Sequence, residues 1–447
     1  VTILPASPAP NGPDAPPGPG AARARSGRLV AAALAAGSLA ALLLAAAPFL
    51  PATESGVTGG LLLGFALGWA LLAVLSGFTD QPQRWAAAPA LFLGSGGLLL
   101  VVFGAPMQEA LAWVWPPALL VLVAWMIVRI RSAAGRSARV LLYPVLALLV
   151  VAALAGGYET VRAAVRAGAT PGHGRLIDVG GHRLHLDCTG EGSPTVVIEP
   201  GAGLASSDLD LIAPTVARDT RVCVYDRAGR GWSDPAAAPQ DAARIAADLH
   251  TLLERGHEPG PYVIAGHSFG GLYALTFAAW YPGDVVGLVL VDSTAPASDP
   301  ASAPEPEPGA AESARPDGTA SRLSALVGAA GRLGAGPLLG MESGDHLRSS
   351  VDEYLVAASS VEQSGALKTF EDGPLVVLTA GSGTRPGWTD AQDALATLSS
   401  NTLHRTVAGA THGSLLDDDR HAAETARGIL EAVSAVRTGT PFPSERR

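Results

Sequence analysis

The segment Tyr262-Val263-Ile264-Ala265-Gly266-His267-Ser268-Phe269-Gly270-Gly271-Leu272-Tyr273-Ala274 decides the fold of this chain. An apolar, β-type run ends in a glycine-flanked serine, and glycines open the apolar stretch that follows. The pattern reads as strand, sharp turn and helix. Glycines on both sides let the backbone pass closely while Ser268 is held strained with its hydroxyl exposed, the geometry of a nucleophile elbow. A G-x-S-x-G pentapeptide alone is a weak signal; set between an apolar strand and a helix it is a much stronger one.

Working outward, short β-rich runs alternate with Ala/Leu helical stretches from Gly172 onward, which predicts an α/β sheet protein. Residues 175–179 and 182–188 flank Gly180-Gly181 as a hairpin. Further strands are expected at 195–198, 221–225, 262–265, 285–291, 374–379 and 404–407, eight in all. Helices are expected at 240–255, 269–280, 389–399 and 421–435.

A serine hydroxyl is a poor nucleophile until a base takes its proton. His412 follows the last strand in Val407-Ala408-Gly409-Ala410-Thr411-His412-Gly413 and is the candidate base in a Ser, acid, His chain order. His267 is expected to point away from the elbow, and His404 to be structural.

Residues 172–437 resemble the α/β-hydrolase superfamily, in the esterase, lipase and peptidase-like branch with a Tyr-Asp-Arg-Ala-Gly-x-Gly-x-Ser segment. Here that segment is Tyr225-Asp226-Arg227-Ala228-Gly229-Arg230-Gly231-Trp232-Ser233. The resemblance implies an α/β fold with an eight-stranded, mostly parallel sheet, its second strand antiparallel, and a helical cap inserted at about 294–373. It also implies that Asp226 and Arg227 fix loops. The oxyanion hole falls to the N–H groups of Phe269 and, in the loop Glu199-Pro200-Gly201-Ala202-Gly203, of Ala202. This sequence departs from the family there, with Pro200 where His is common.

The triad acid has two candidates. Many relatives carry Asp just after the seventh strand, where this chain has Ala380-Gly381-Ser382-Gly383-Thr384. Asp292, closing Leu290-Val291-Asp292-Ser293 at the end of strand six, is a position some relatives use. Asp390, or less favourably Asp393, is the alternative, reaching back from the next helix. The cap reads as a flexible loop at 297–319 followed by helical patterns at 321–339 and 345–367. Cys188 and Cys223 fall on neighbouring strands of such a fold, and strand register decides whether they form a disulfide.

The first part of the chain has a different chemistry. Apolar runs at 29–50, 58–78, 86–106, 110–128 and 140–157 are each near the ~20 residues that span a bilayer core. They predict an all-α region of five transmembrane helices over 29–158, between a disordered tail at 1–28 and the hydrolase region; residues 438–447 read as a second disordered tail. The first run is too long, and lacks a convincing cleavage site, for a removable signal peptide, so it reads as a retained anchor. Arg23, Arg25, Arg28, Arg84, Arg129, Arg131, Arg136 and Arg139 occupy alternate loops, while the other loops hold Glu54 and Glu109. By the positive-inside rule the N-terminus is cytoplasmic and the region after Tyr158 lies outside the cell membrane. No ionisable residue falls within the runs, so the bundle reads as an anchor rather than a transporter.

Charge agrees with this division. Of the 447 residues, 16% are charged; residues 1–158 carry eight basic and four acidic side chains, and the remainder 22 and 36. An acidic second half without grouped basic residues argues against nucleic-acid binding. Two cysteines exclude a disulfide-built scaffold, and the histidines lack metal-ligand spacing, so neither metal nor cofactor is expected. The expected partners are a small-molecule or lipid ester substrate and the bilayer itself; oligomeric state has no signature. The leading expectation is ester cleavage by a membrane-anchored serine hydrolase. Acyl transfer and aminopeptidase action by the same residues remain open, as does a non-catalytic ectodomain of a signalling or transport protein. Epoxide hydrolase and dehalogenase activities are disfavoured, because those relatives carry aspartate where Ser268 stands.

Overall fold

The computed structural model describes residues 19–79, 82–133, 136–169, 171–296 and 318–443. The chain divides into two compact units, Val1–Thr160 and Val161–Arg447.

Five helices among the described residues are long and apolar enough to cross a membrane. They are α1 (Pro19–Ala46), α2 (Glu54–Ser76), α3 (Ala87–Phe103), α4 (Ala105–Ala133) and α5 (Arg136–Gly168). Small residues bring the first three together: a Cβ on Gly37 would lie 2.7 Å from Gly68 Cα, and one on Gly59 would lie 2.8 Å from Gly97 O. Such close backbone approach is how helices gain dispersion contact where lipid removes the hydrophobic drive. Two boundaries differ from expectation. Residues 19–28 are helical, not a disordered tail, and residues 1–18 lie outside the described residues; α5 also runs on past Gly157 to Gly168. In both places Ala and Arg, strong helix formers, continue the backbone ladder beyond the apolar run. An apolar run therefore marks the stretch suited to lipid rather than the ends of the helix.

The second unit is built on one eight-stranded sheet in the order β1-β2-β4-β3-β5-β6-β7-β8. Its strands are β1 (Arg175–Asp178), β2 (Arg183–Thr189), β3 (Thr195–Glu199), β4 (Val222–Asp226), β5 (Tyr262–His267), β6 (Val285–Val291), β7 (Leu375–Ala380) and β8 (Thr402–Val407). β2 pairs antiparallel with both β1 and β4, and all later pairings are parallel. Because parallel strands need crossovers, helices cover both faces and the central strands are buried throughout. Alternation divides them cleanly. Val197, Ile264, Leu288, Leu290 and Val377 pack under α6 (Ala242–Arg255) and α7 (Phe269–Trp280). Val196, Val263, Val289, Val291 and Leu378 pack under α12 (Asp419–Thr438) on the other face.

The β2/β4 register sets Cys188 opposite Cys223, and the two form a disulfide. Between β6 and β7 lies the cap, with α8 (Gly318–Arg332), α9 (Gly344–Leu355) and α10 (Ala357–Ser364). Most of the expected flexible loop, residues 297–317, lies outside the described residues. The two expected cap helices are each broken, the first near Gly334 at φ +83° and the second at Val356. The helix α11 (Trp388–Ala396) follows β7. The C-terminal stretch is not wholly a free tail: Phe442 packs against the α12 face of the core and its N–H donates to Asn401 Oδ1 at 2.8 Å. These two contacts tie the chain back to the core after α12 ends at Thr438. Residues 444–447 lie outside the described residues.

Candidate active site

The carboxyl ends of β5, β6 and β8 converge on one place. Ser268 stands between the last residue of β5 and the first of α7 with φ 56° and ψ −122°, a region that non-glycine residues avoid. The surroundings hold it there. Its N–H donates to Val291 O at 3.2 Å, and its carbonyl accepts from Gly271 N at 3.1 Å and Thr294 N at 3.0 Å. A side chain on Gly270 would meet Glu199 O at 2.2 Å, so glycine is what allows α7 to begin this close to β3. Phe269, as the first helical residue, has no intrahelical acceptor for its N–H.

His412 lies in the turn after β8, between Thr411 and Ser414. That turn is stapled by two reciprocal bonds, Thr411 N to Ser414 Oγ at 2.8 Å and Ser414 N to Thr411 Oγ1 at 3.3 Å. His412 Nδ1 is 2.6 Å from Asp292 Oδ2, and the imidazole side chain is 47% exposed, open to an incoming molecule. Asp292 directly follows β6 with φ 42° and is buried. Its other oxygen accepts from Ala380 N at 3.0 Å and Trp388 Nε1 at 2.7 Å. Burial alone raises a carboxyl pKa; the bonds from His412, Trp388 and Ala380 outweigh it, and Asp292 ends below the usual carboxylate value.

Asp292, not Asp390, is thus the carboxylate at His412. Asp390 is exposed in the first turn of α11, and Asp393 pairs with His404 Nδ1 at 3.2 Å. His404 also bonds Thr379 Oγ1 at 2.8 Å. His267 lies beneath the site: its ring centroid is 4.6 Å from that of His412, and its Nε2 donates to His412 O at 3.0 Å. Burial, reinforced by the neighbouring His412, lowers its pKa to about 4, so the ring is neutral. The loop after β3 passes alongside, where a Cβ on Gly201 would be 3.1 Å from Ser268 Cβ. Ala202 follows in that loop.

Asp226 and Arg227 hold loops. Asp226 accepts from Ser206 N at 2.8 Å and Trp232 N at 3.0 Å, with His185 Nδ1 at 3.1 Å. Beneath the loop after β3, Glu199 accepts from Tyr225 Oη at 2.7 Å, and burial raises its pKa to about 7. Among the described residues the grouping of metal-ligand type is Cys188, Cys223 and Glu258, whose sulfurs are bonded to each other and offer no thiolate. Reading the sequence did not find Trp388, which has no local motif, or the contact of His267 with His412.

Residues 194–372 match the family described as alpha/beta hydrolase fold. An uncharacterized protein of Schizosaccharomyces pombe is 33% identical over 139 residues, covering 25% of this chain and 26% of that one. A Hormonema carpetanum protein named as a probable transporter is 34% identical over 126 residues, 26% of this chain and 18% of that one. The chain therefore spans about a quarter or less of these relatives. Among solved structures, the epoxide hydrolase CorEH aligns with a TM-score of 0.42 at 16% identity, covering 58% of this chain and 98% of that one.

Proposed function

Because the second half of this chain is an α/β-hydrolase domain preceded by five long apolar helices, we propose that it is a membrane-anchored serine hydrolase cleaving carboxylic esters. The observation that carries this reading is the 2.6 Å contact between His412 Nδ1 and Asp292 Oδ2, with the His412 ring 4.6 Å from that of His267, the residue that precedes Ser268 in its strained turn. With Nδ1 committed to the carboxylate, the other imidazole nitrogen is the basic one.

In the proposed reaction Ser268 Oγ attacks the ester carbonyl as its proton passes to His412 Nε2. The carbonyl π electrons move onto oxygen, where the N–H groups of Phe269 and Ala202 stabilise the charge, ~3 kcal/mol for each donor. Collapse expels the alkoxide, which takes the proton from His412 and leaves as alcohol. A water then attacks the acyl-serine, giving its proton to His412, and Ser268 recovers a proton as the acid departs. Asp292 orients the imidazole and stabilises its charged form.

The serine itself argues against epoxide opening or dehalogenation, which in the superfamily begin with an aspartate at this position. The Asp292 contact likewise weighs against an inert ectodomain, since it supplies the acid missing after β7. We place the hydrolase domain outside the cytoplasm. Arginines in alternate loops support this, and so does the Cys188–Cys223 disulfide, a bond that persists in oxidising compartments. The test is turnover of p-nitrophenyl esters by the full-length protein in detergent. Wild type should hydrolyse them while Ser268→Ala and His412→Ala lose several orders of magnitude in kcat; rates near wild type in a folded variant would remove the reading.

A further inference from the structure

Resting on the assignment of Ala202 as an oxyanion donor, we propose that the cap helix α9 builds the oxyanion hole, with Glu353 and His346 as its positioning residues. The loop at 200–204 is held almost entirely by side chains. Arg227 Nη1 donates to Pro200 O at 2.8 Å and its Nη2 to Gly201 O at 2.7 Å. Arg230 Nη1 donates to Leu204 O at 3.1 Å. From the cap, Glu353 Oε2 accepts from Gly203 N at 3.0 Å, and His346 Nε2 donates to Gly203 O at 2.8 Å. Ala202 is thereby fixed from both sides, by arginine on Gly201 and by the cap on Gly203.

Glu353 is also what aims the arginines. Its Oε1 accepts from Arg227 Nε at 2.8 Å and its Oε2 from Arg230 Nη2 at 2.6 Å. All three side chains are at most 5% exposed. Burial raises the Glu353 pKa, but the two guanidinium charges outweigh it and hold the group ionised. Burying such a cluster is a poor way to gain stability, because desolvation offsets the attraction and apolar side chains of similar volume do as well or better. What the cluster does supply is direction: four of its bonds end on backbone atoms of the 200–204 loop, at Pro200 O, Gly201 O, Gly203 N and Leu204 O. His346, Ser349 and Glu353 share one face of α9, and Ser349 Oγ donates to Ala228 O at 2.8 Å while accepting from Arg230 Nε at 3.0 Å. That face is therefore docked on both loops behind the site. Without α9 in this place Gly203 has neither of these partners and Ala202 no fixed direction, so catalysis requires Glu353 and His346 to be docked on the loop.

The test measures kcat and KM for p-nitrophenyl butyrate in full-length protein, with kcat expressed per site titrated by fluorophosphonate. Counting only reactive sites removes losses due to misfolding. Glu353→Gln should lower kcat per site by about 100-fold with KM within about threefold of wild type. His346→Ala, a change without a buried charge, should lower kcat per site about tenfold, and His346→Gln, which keeps a donor, should restore most of it. If Glu353→Gln does not fold, the His346 pair decides. Unchanged kcat per site in His346→Ala, or a loss confined to KM, overturns the positioning role while leaving the serine mechanism standing. Turnover that survives Ser268→Ala would overturn both.

Discussion

Trp388 Nε1 donates to Asp292 Oδ1 at 2.7 Å, on the carboxylate oxygen that His412 does not use. The acid is thus held by its neighbours on one oxygen and presents the other to the imidazole. Replacing Trp388 by Phe keeps most of the packing and removes the bond. A hydrogen bond to a charged group contributes about 1.5–3 kcal/mol, so kcat for ester hydrolysis should fall at least about tenfold with KM little changed. An unchanged kcat would show that Ala380 N–H alone positions the carboxylate.

The two candidate acids separate cleanly by mutation. Asp292→Asn should lower kcat by about 10⁴-fold, because an amide can hold the imidazole in the wrong tautomer. Asp390→Asn should leave kcat within about twofold, since Asp390 is exposed at the start of α11. Steady-state kinetics on the pair checks this, and the reverse ranking would move the acid to the helix.

Two buried groups should tilt stability with pH in opposite directions. His267 is shifted from 6.5 to about 4, so between those values the unfolded chain binds a proton that the folded one refuses; its contribution is lost as pH falls through that window. Glu199 is shifted from 4.5 to about 7, so there the folded chain holds the extra proton and stability falls as pH rises. Each slope approaches about 1.4 kcal/mol per pH unit at a full one-proton difference. Melting temperatures between pH 4.5 and 6.5 should therefore fall less steeply on acidification in His267→Gln than in wild type. In Glu199→Gln they should fall more steeply.

The cross-strand disulfide ties β2 to β4, the second and third strands of the sheet, whereas Ser268, Asp292 and His412 follow β5, β6 and β8. Cys188→Ser with Cys223→Ser should lower stability by about 2–4 kcal/mol while leaving kcat near wild type. Thermal melts with and without reductant measure the first effect; a wild type indifferent to reductant would speak against a formed bond.

Much of this was legible in the residues. The expected helix 269–280 and strand 285–291 coincide with α7 and β6, because long apolar runs bounded by glycine, proline or aspartate leave little freedom in where they end. The serine and histidine were legible for the same reason, each sitting at a turn whose neighbours are small. The acid was harder: Asp292 closes a strand and Asp390 opens a helix, and the choice rests on the pairing of β6, β7 and β8, which no local pattern shows and which sets Asp292 against the loop that carries His412. Helix ends in the membrane unit were misjudged where Ala and Arg prolong a helix past its apolar stretch. The Glu353 contact could not be read at all, since Gly203 and Glu353 are 150 residues apart and no periodicity links a cap carboxylate to a loop amide.

The proposed reaction depends first on an activated Ser268. Fluorophosphonate labelling of the full-length protein in detergent, wild type beside Ser268→Ala, tests it most directly, because the probe reacts only with a serine that its neighbours have made nucleophilic. Labelling of wild type that disappears in Ser268→Ala is the predicted result. Folded wild type that takes up no label, or a Ser268→Ala variant labelled as strongly as wild type, would contradict it.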